Sequence, residues 1–123
     1  MLDIVAKAKD AVGAYGERVA VEHLVSLGMT LITRNWRCAA GEIDAVLRDG
    51  STLVFCEVKT RRRETHGQPY EAVGYRKLVR LRRLATIYLA QCAEHATELR
   101  FDVVSVIPQS AGAAAVEHIK AAF

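Results

Sequence analysis

The sequence predicts one α/β domain in which a mixed β-sheet is flanked by helices. The chain has 123 residues, which suits a single domain over residues 1–123, with residues 1–10 as a lead-in. Apolar periodicities follow one another in the order helix, three strands, helix, strand and a short final element. The Asp49-Gly50 turn joins the second and third strands as an antiparallel hairpin, whereas the fourth strand returns across a helix and can pair in parallel.

The first helix is predicted from about Ala11 to Leu27, where Gly28 ends it. Its apolar face consists of Ala20, Val21, Leu24, Val25 and Leu27. Glu17 lies in the middle of that face, one turn before Val21. Because a carboxylate among apolar residues is unstable unless it is paired or binds a cation, Glu17 is a candidate functional residue.

The other elements follow from strand-like alternation and from turn residues. Strands are predicted at Thr30 to Arg37, Glu42 to Arg48, Thr52 to Thr60 and Leu99 to Ile107, with a short final strand or edge segment at Val116 to Phe123. A polar loop from Arg61 to Pro69 precedes a second helix, which is predicted to run from about Glu71 to Glu94. The apolar face of this helix consists of Leu78, Leu81, Ala85, Tyr88, Leu89 and Cys92.

Composition excludes several classes of protein. No apolar run approaches the ~20 residues of a membrane helix, and the N-terminus does not resemble a signal peptide. The three cysteines show no CxxC spacing, which argues against a disulfide framework or a structural zinc site. We therefore expect a cytoplasmic protein without a membrane partner.

The positive charge is concentrated in the middle of the chain. The formal net charge is +3, yet between Lys59 and Arg83 nine Lys or Arg residues stand against Glu64 and Glu71. A basic field of this kind favours a polyanionic partner such as nucleic acid. The candidate phosphate contacts are Arg61, Arg62, Arg63, Arg76, Lys77 and Arg80, with Arg83 on the same helix. A solvated loop and a soluble helix surface explain these residues almost as well.

Two adjacent strands carry the residues with the clearest chemistry. Because side chains alternate along a strand, Glu57 and Lys59 share one face of the third strand, and Glu42 and Asp44 share one face of the second. A hairpin closed at Asp49-Gly50 places Asp44 close to Glu57. Two carboxylates and an amine then converge near the edge of the sheet, where Glu17 can approach from the first helix.

Carboxylate oxygens are the ligands that Mg²⁺ and Mn²⁺ prefer, and such a site suits hydrolysis of a phosphodiester. Lys59 would orient or deprotonate the attacking water, or stabilise the transition state. Taken singly, Glu-x-Lys on a strand is usually a surface ion pair, and Asp44 is an ordinary carboxylate near a turn. Their order and spacing together favour the functional interpretation.

Four blocks of the sequence resemble the YraN family, a branch of the PD-(D/E)XK nuclease superfamily that is similar to archaeal Holliday junction resolvases. The blocks are Gly16-Glu17, Gly41-Glu42-Ile43-Asp44, Glu57-Val58-Lys59-Thr60-Arg61 and Arg100-Phe101-Asp102-Val103-Val104. The resemblance extends from about Ala11 to Phe123. It implies a restriction-endonuclease-like fold. This sequence departs from the superfamily pattern in having Ile43 instead of proline before Asp44.

The same resemblance implies a role for each residue of the site. Asp44 and Glu57 are the implied metal ligands, Lys59 the implied catalytic lysine, and Glu17 a further ligand or a water-positioning group. The first functional hypothesis is an Mg²⁺- or Mn²⁺-dependent endonuclease that cleaves DNA, including branched or structured DNA. The alternatives are a nucleic-acid-binding module with little or no catalysis and a scaffold protein that binds an acidic partner. Cleavage of both strands of a junction would favour a two-fold homodimer.

Overall fold

The computed structural model describes residues 11–61 and 69–123, without the side chains of residues 69–73. The elements follow the predicted order. They are α1 (Ala11–Ser26), β1 (Thr30–Cys38), β2 (Gly41–Asp49), β3 (Thr52–Thr60), α2 (Pro69–Gln91), β4 (Glu98–Ile107) and β5 (Ala115–Ile119). The final element is therefore a strand, one of the two alternatives that the sequence left open.

The five strands form one mixed sheet in the order β1-β2-β3-β4-β5. Neighbouring strands are antiparallel except β3 and β4, which are parallel because α2 lies between them in the chain. The hairpin turn is the predicted one, since Asp49 pairs with Thr52 and Gly50 adopts a positive φ of 63°. This mixed sheet with two flanking helices is consistent with the restriction-endonuclease-like fold class that the sequence predicts.

One helix covers each face of the sheet. On one face, Ala20 and Leu24 of α1 pack against apolar residues of three central strands, which are Ala45, Leu47, Val54, Cys56, Val104 and Val106. On the other face, Leu81, Leu84, Ala85 and Tyr88 of α2 pack against Ile43, Val46, Leu53 and Phe55. These two apolar layers hold both helices against β2 and β3, the strands that carry the candidate site.

The end of α1 follows the Schellman pattern. The amide of Gly28 donates to the carbonyl of Val25 at 2.9 Å, and the amide of Met29 donates to the carbonyl of Leu24 at 3.3 Å. Gly28 adopts a φ of 102°, a conformation that a residue without a Cβ reaches most easily. The predicted end of this helix at Gly28 is therefore confirmed.

The second helix differs from its prediction. It begins at Pro69, which the sequence had placed in a loop, and it is interrupted at Gly74, whose φ of 76° and ψ of 165° are not helical. The prediction of one continuous helix from Glu71 to Glu94 is therefore wrong at Gly74.

The rest of the predicted polar loop, residues 62–68, lies outside the described residues, as do residues 1–10. Within 11–61 and 69–123, no helix has both the length and the apolar character that crossing a bilayer requires.

Candidate metal centre

Asp44 lies where β2 and β3 part. The pairing between the two strands ends with Ala45 opposite Cys56, so the next residues along are Asp44 and Glu57. The Asp44 Oδ2 atom accepts a hydrogen bond of 2.8 Å from the Val58 amide. A side-chain carboxylate thus takes the place of a strand carbonyl, and the hydrogen bond holds Asp44 beside Glu57. The proximity predicted for these two acids is confirmed.

The backbone of β1 is also irregular opposite Asp44. On β1, Arg34 pairs with Ala45 and Trp36 pairs with Ile43, while Asn35, between them, adopts a φ of 52°. Ile43 packs under α2 although Ala45, two residues later, packs under α1. The strict alternation of β2 therefore breaks at Asp44, a feature that the period-2 pattern of the sequence does not contain.

Gly16 brings α1 against the end of β3. A Cβ built on Gly16 would lie 1.7 Å from Oγ1 and 2.9 Å from Cβ of Thr60, so a larger residue has no room without a shift of the helix or the strand. Glu17 follows directly and is half-buried. This close approach explains why the acid of α1 reaches the carboxylates of the sheet, and why glycine precedes it.

Three carboxyl groups, those of Glu17, Glu42 and Glu57, surround that of Asp44. Oxygen atoms of Glu17, Glu42 and Asp44 lie within 4.8 Å of one another. The Asp44 carboxyl also hydrogen-bonds to both Glu17 and Glu57. Glu42 is a member that the sequence reasoning did not propose, although the alternation expected for β2 put it on one face with Asp44.

Burial and mutual repulsion raise the pKa values of these acids. Desolvation, followed by the nearby charge of Glu57, raises the pKa of Asp44 to about 8. Burial also raises the pKa of Glu17, with Glu42 as the second cause. Burial also raises the pKa of Glu57, and the nearby charge of Lys77 is the main effect that opposes this increase. A proton on Asp44 therefore relieves the repulsion at neutral pH, and a cation in the same place would do so as well.

Two lysines from different elements border this acidic group. Lys77 of α2 places its Nζ atom 3.7 Å from Oε2 of Glu57. Lys59 lies two residues after Glu57 on β3. Its positive charge, like that of Lys77, favours the ionised form of Glu57. The sequence predicted Lys77 only as a nucleic-acid contact, because spacing within a helix cannot say which strand the helix will face.

All four predicted site residues line one open pocket of about 860 Å³. Glu17, Asp44, Glu57 and Lys59 are joined there by Glu42 and Lys77. A smaller recess of about 180 Å³ on the α2 side shares Asp44 and Glu57 and adds Arg80. The site is thus a cleft with acids at its centre and basic residues at its α2 border.

The remaining basic candidates lie in different settings. Arg76, Arg80 and Arg83 are exposed on α2. Arg61 is half-buried, and its amide donates to the carbonyl of Val106 at 2.8 Å. Arg62 and Arg63 lie outside the described residues. Among the described basic candidates, the arginines of α2 are therefore the exposed ones, and Arg80 also lines the smaller recess.

Comparison with known proteins assigns the chain to a family. The model of the uncharacterised protein family UPF0102 matches residues 16–106, which include every described residue of the acidic group. A UPF0102 protein of Beutenbergia cavernae is 57% identical over 114 residues, covering 93% of this chain and 97% of that protein. Others from Frankia casuarinae and Kineococcus radiotolerans are 50% and 54% identical, covering 95% and 92% of this chain and 99% and 93% of theirs. The chain belongs to the UPF0102 family.

Proposed function

We propose that this protein is a divalent-metal-dependent endonuclease of the PD-(D/E)XK kind that hydrolyses phosphodiester bonds in DNA. The observation that carries the proposal is the meeting of Glu17, Asp44 and Glu57 with Lys59 in one cleft. Carboxylates from a helix and two strands around one point, with an amine beside them, provide both cation ligands and a group that handles a proton. The resemblance of the sequence blocks to nuclease branches supports the same reaction.

The residues present fit Mg²⁺ or Mn²⁺. These ions prefer oxygen ligands and are commonly held by one or two carboxylates, with water and substrate phosphate completing the shell. The close oxygens of Glu17, Glu42 and Asp44, together with the hydrogen-bonded Glu57, supply such a donor set. The raised pKa of Asp44 indicates more negative charge than the site can hold without a proton or a cation. Asp44 and Glu57 would be the ligands, with Glu17 as a third.

The chain's own groups have distinct tasks in this reaction. A bound divalent ion would supply positive charge to the scissile phosphate and lower the pKa of the attacking water. Asp44 is held in place by the Val58 amide, so its oxygen is oriented before substrate arrives. Lys59 would hold the nucleophilic water or stabilise negative charge on the phosphate. Lys77 orients Glu57 through their ion pair.

The basic face of α2 supplies the contact with the phosphate backbone. Arg80 borders the smaller recess, and Arg76 and Arg83 continue the positive charge along the exposed side of the same helix. Such residues position a nucleic acid without reading its sequence. DNA that lies along α2 would bring a phosphate to the acidic group.

A cleavage assay tests the proposal. Single-stranded, duplex and four-way-junction DNA are incubated with Mg²⁺, with Mn²⁺ and with EDTA. We expect divalent-dependent cleavage that falls by about 100-fold or more in Asp44→Asn and in Lys59→Met, because each removes a group that acts on the reacting phosphate. Lys120→Met, which removes an exposed lysine beyond β5, is the matched control and keeps full activity. Cleavage that is absent from the wild type, or unchanged in both variants, contradicts the proposal.

The exposed arginines of α2 favour a second candidate, a nucleic-acid-binding module with little or no catalysis. Binding of DNA is measured against salt concentration for the wild type and for the combined Arg76→Ala, Arg80→Ala and Arg83→Ala variant. Loss of each phosphate contact lowers the slope of log K against log salt by about 1. DNA binding whose salt slope falls by this amount for each arginine removed, combined with no cleavage with any metal, would establish the module and reject the nuclease.

A further inference from the structure

We propose that the cleft contains a nucleoside subsite, in which Gly13 and Ala14 of α1 receive one unpaired nucleotide next to the phosphate that is cut. The inference rests on the proposed function, since it names the kind of DNA on which that site acts. It depends on three features of the cleft, which are its volume, the small side chains of its α1 wall and the positive groups at its border.

The cleft is larger than a metal ion requires. An octahedral Mg²⁺ ion with six waters occupies on the order of 200 Å³, at about 30 Å³ for each water. The pocket measures about 860 Å³. The difference falls in the range of pockets that hold small organic ligands, about 300–1,000 Å³. There is room beside the ion for a sugar and a base.

The apolar part of the α1 wall consists of Val12, Gly13 and Ala14, and the last two leave space because they are small. Gly13, Glu17 and Ala20 lie at helical spacing on one side of α1, the side that faces the sheet. Ala20 is fully buried against the strands, whereas Gly13 and Ala14 border the pocket. A leucine in place of Gly13 or Ala14 would fill this part of the cleft, as Leu24 fills the space between α1 and the sheet farther along the helix. The flat face of a base or a deoxyribose fits against such a wall.

Cationic side chains of the cleft complement the phosphate of that nucleotide. Lys59, Lys77 and Arg37 of β1 line the cleft, and the Arg37 side chain is 56% exposed. Arg37 pairs with Glu42, so this cation also lies beside the acidic group. A phosphate held at the acids and cations would leave the sugar and base to the apolar residues of α1.

The subsite implies a preference for unpaired DNA. A base within a duplex is stacked and paired, and it enters a pocket only when it leaves the stack. Nucleotides at the ends, gaps and branch points of DNA are free to enter without that loss. The substrate class is therefore DNA with an unpaired nucleotide at the cleavage position.

Nucleotide binding tests this inference without any cleavage. Isotope-labelled protein in Mg²⁺ is titrated with thymidine 5′-monophosphate and, separately, with inorganic phosphate, and amide chemical shifts are followed by NMR. We expect the nucleotide to bind about tenfold more tightly, because its base and sugar bury apolar surface that phosphate lacks. We also expect the nucleotide, and not phosphate, to shift the amides of Gly13 and Ala14.

Two matched variants locate the effect. Ala14→Leu adds three side-chain carbons at the cleft and should lower nucleotide affinity to about that of phosphate, with phosphate affinity changed less than about twofold. Ala11→Leu makes the same change on an exposed residue of α1 outside the pocket and should alter neither affinity. Equal wild-type affinities for the two probes, or an Ala14→Leu protein that still prefers the nucleotide, would overturn the inference. If Ala14→Leu does not fold, the wild-type shifts of Gly13 and Ala14 decide.

The outcome separates this inference from the proposed function. Nucleotide preference at Gly13 and Ala14 in a protein that never cleaves DNA would reject the nuclease and keep the subsite. Divalent-dependent cleavage by a protein that binds both probes equally would keep the nuclease and reject the subsite.

Discussion

At the scale of single residues, Asp44 connects all the other acids of the site. Its carboxyl accepts a hydrogen bond from the Val58 amide and also hydrogen-bonds to Glu17 and Glu57. Its position at the end of the β2–β3 pairing leaves the strand edge open to a ligand. The raised pKa of Asp44, caused first by burial, is the electrostatic consequence of this crowding.

That pKa predicts how the metal-free protein responds to pH. The folded state binds the Asp44 proton more tightly than the unfolded state, since the pKa rises from 3.8 to about 8. The stability that this proton contributes is complete below pH 3.8 and is lost as the pH rises through about 8. Asp44→Asn abolishes this loss while retaining an oxygen for the Val58 amide. Above pH 8 in EDTA, we expect it to melt about 4 °C higher than the wild type, the shift given by roughly 1 kcal/mol.

The same variant should lose the increase in melting temperature that Mg²⁺ or Mn²⁺ produces in the wild type. Glu22→Gln, which neutralises an exposed acid of α1, is the control and should leave both measurements unchanged. An Asp44→Asn protein that is less stable than the wild type above pH 8 without metal would show that Asp44 is not a source of repulsion.

Residue-level prediction from the sequence succeeded where the information was local. The Asp49-Gly50 turn determines the register of β2 against β3, and that register determines that Asp44 and Glu57 are neighbours. The place of Glu42 in the acidic group could not be settled in this way, because alternation predicts a face of a strand and not the reach of a side chain. The ion pair of Lys77 with Glu57 depends on how α2 packs across the sheet, which is a tertiary property.

At the scale of elements, the contact between α1 and β3 determines the geometry of the site. Gly16 lies so close to Thr60 that no side chain fits between them. Both apolar stripes of α1 and β3 were recognisable from the sequence, but the absence of space at Gly16 was not, because it depends on the distance between two elements. The break of α2 at Gly74 escaped prediction for a related reason, since a glycine within an otherwise helical pattern is compatible with a continuous helix.

Gly16→Ala tests this contact. The added Cβ would lie 1.7 Å from Thr60 Oγ1, so α1 or β3 must move. We expect a loss of unfolding free energy of about 1–3 kcal/mol, the usual range for overpacking, measured by urea denaturation. Metal affinity, measured by calorimetry, should fall in the same variant because Glu17 moves with the helix.

The double variant Gly16→Ala with Thr60→Ala removes Oγ1 and Cγ2 of Thr60 and should recover part of both losses. Recovery is incomplete because the Thr60 Cβ would still lie 2.9 Å from the new atom. A Gly16→Ala protein with wild-type stability and wild-type metal affinity would show that the close approach does not position Glu17.

At the scale of the whole molecule, a second polar network holds the far part of the sheet together. Asp102 is fully buried and accepts two hydrogen bonds from Arg100, at 2.9 and 3.0 Å, and one from the Ala121 amide at 3.0 Å. His118 lies 2.8 Å away, and Arg100 also donates to Asp49 at 2.9 Å. The network joins β2, β4 and β5 and shares no residue with the acidic group.

Asp102→Asn tests the role of this network in stability. Although burial acts in the opposite direction, the hydrogen bonds of Arg100, Ala121 and His118 hold the pKa of Asp102 below 3.8. The ionised acid therefore contributes stability above pH 3.8, which is lost as the pH falls through the lower folded pKa. The variant removes the buried charge of Asp102 and leaves the half-buried Arg100 with only its ion pair to Asp49, so it should be about 3 kcal/mol less stable at pH 7.

This change should leave divalent-ion affinity unaltered at temperatures where the variant is folded, because the network is separate from the cleft. Urea denaturation at several pH values and calorimetric metal titration measure the two quantities. Equal losses of stability and of metal affinity would show instead that the two networks are coupled.

The central claim is that acids from α1, β2 and β3 share one divalent ion. Crystals soaked in Mn²⁺ and measured at an X-ray wavelength where manganese scatters anomalously would test it directly. The claim predicts an anomalous peak within about 2.5 Å of carboxylate oxygens of Asp44 and Glu57, on the side facing Glu17. The absence of a peak in the cleft at millimolar Mn²⁺, with those side chains turned away from one another, would contradict it.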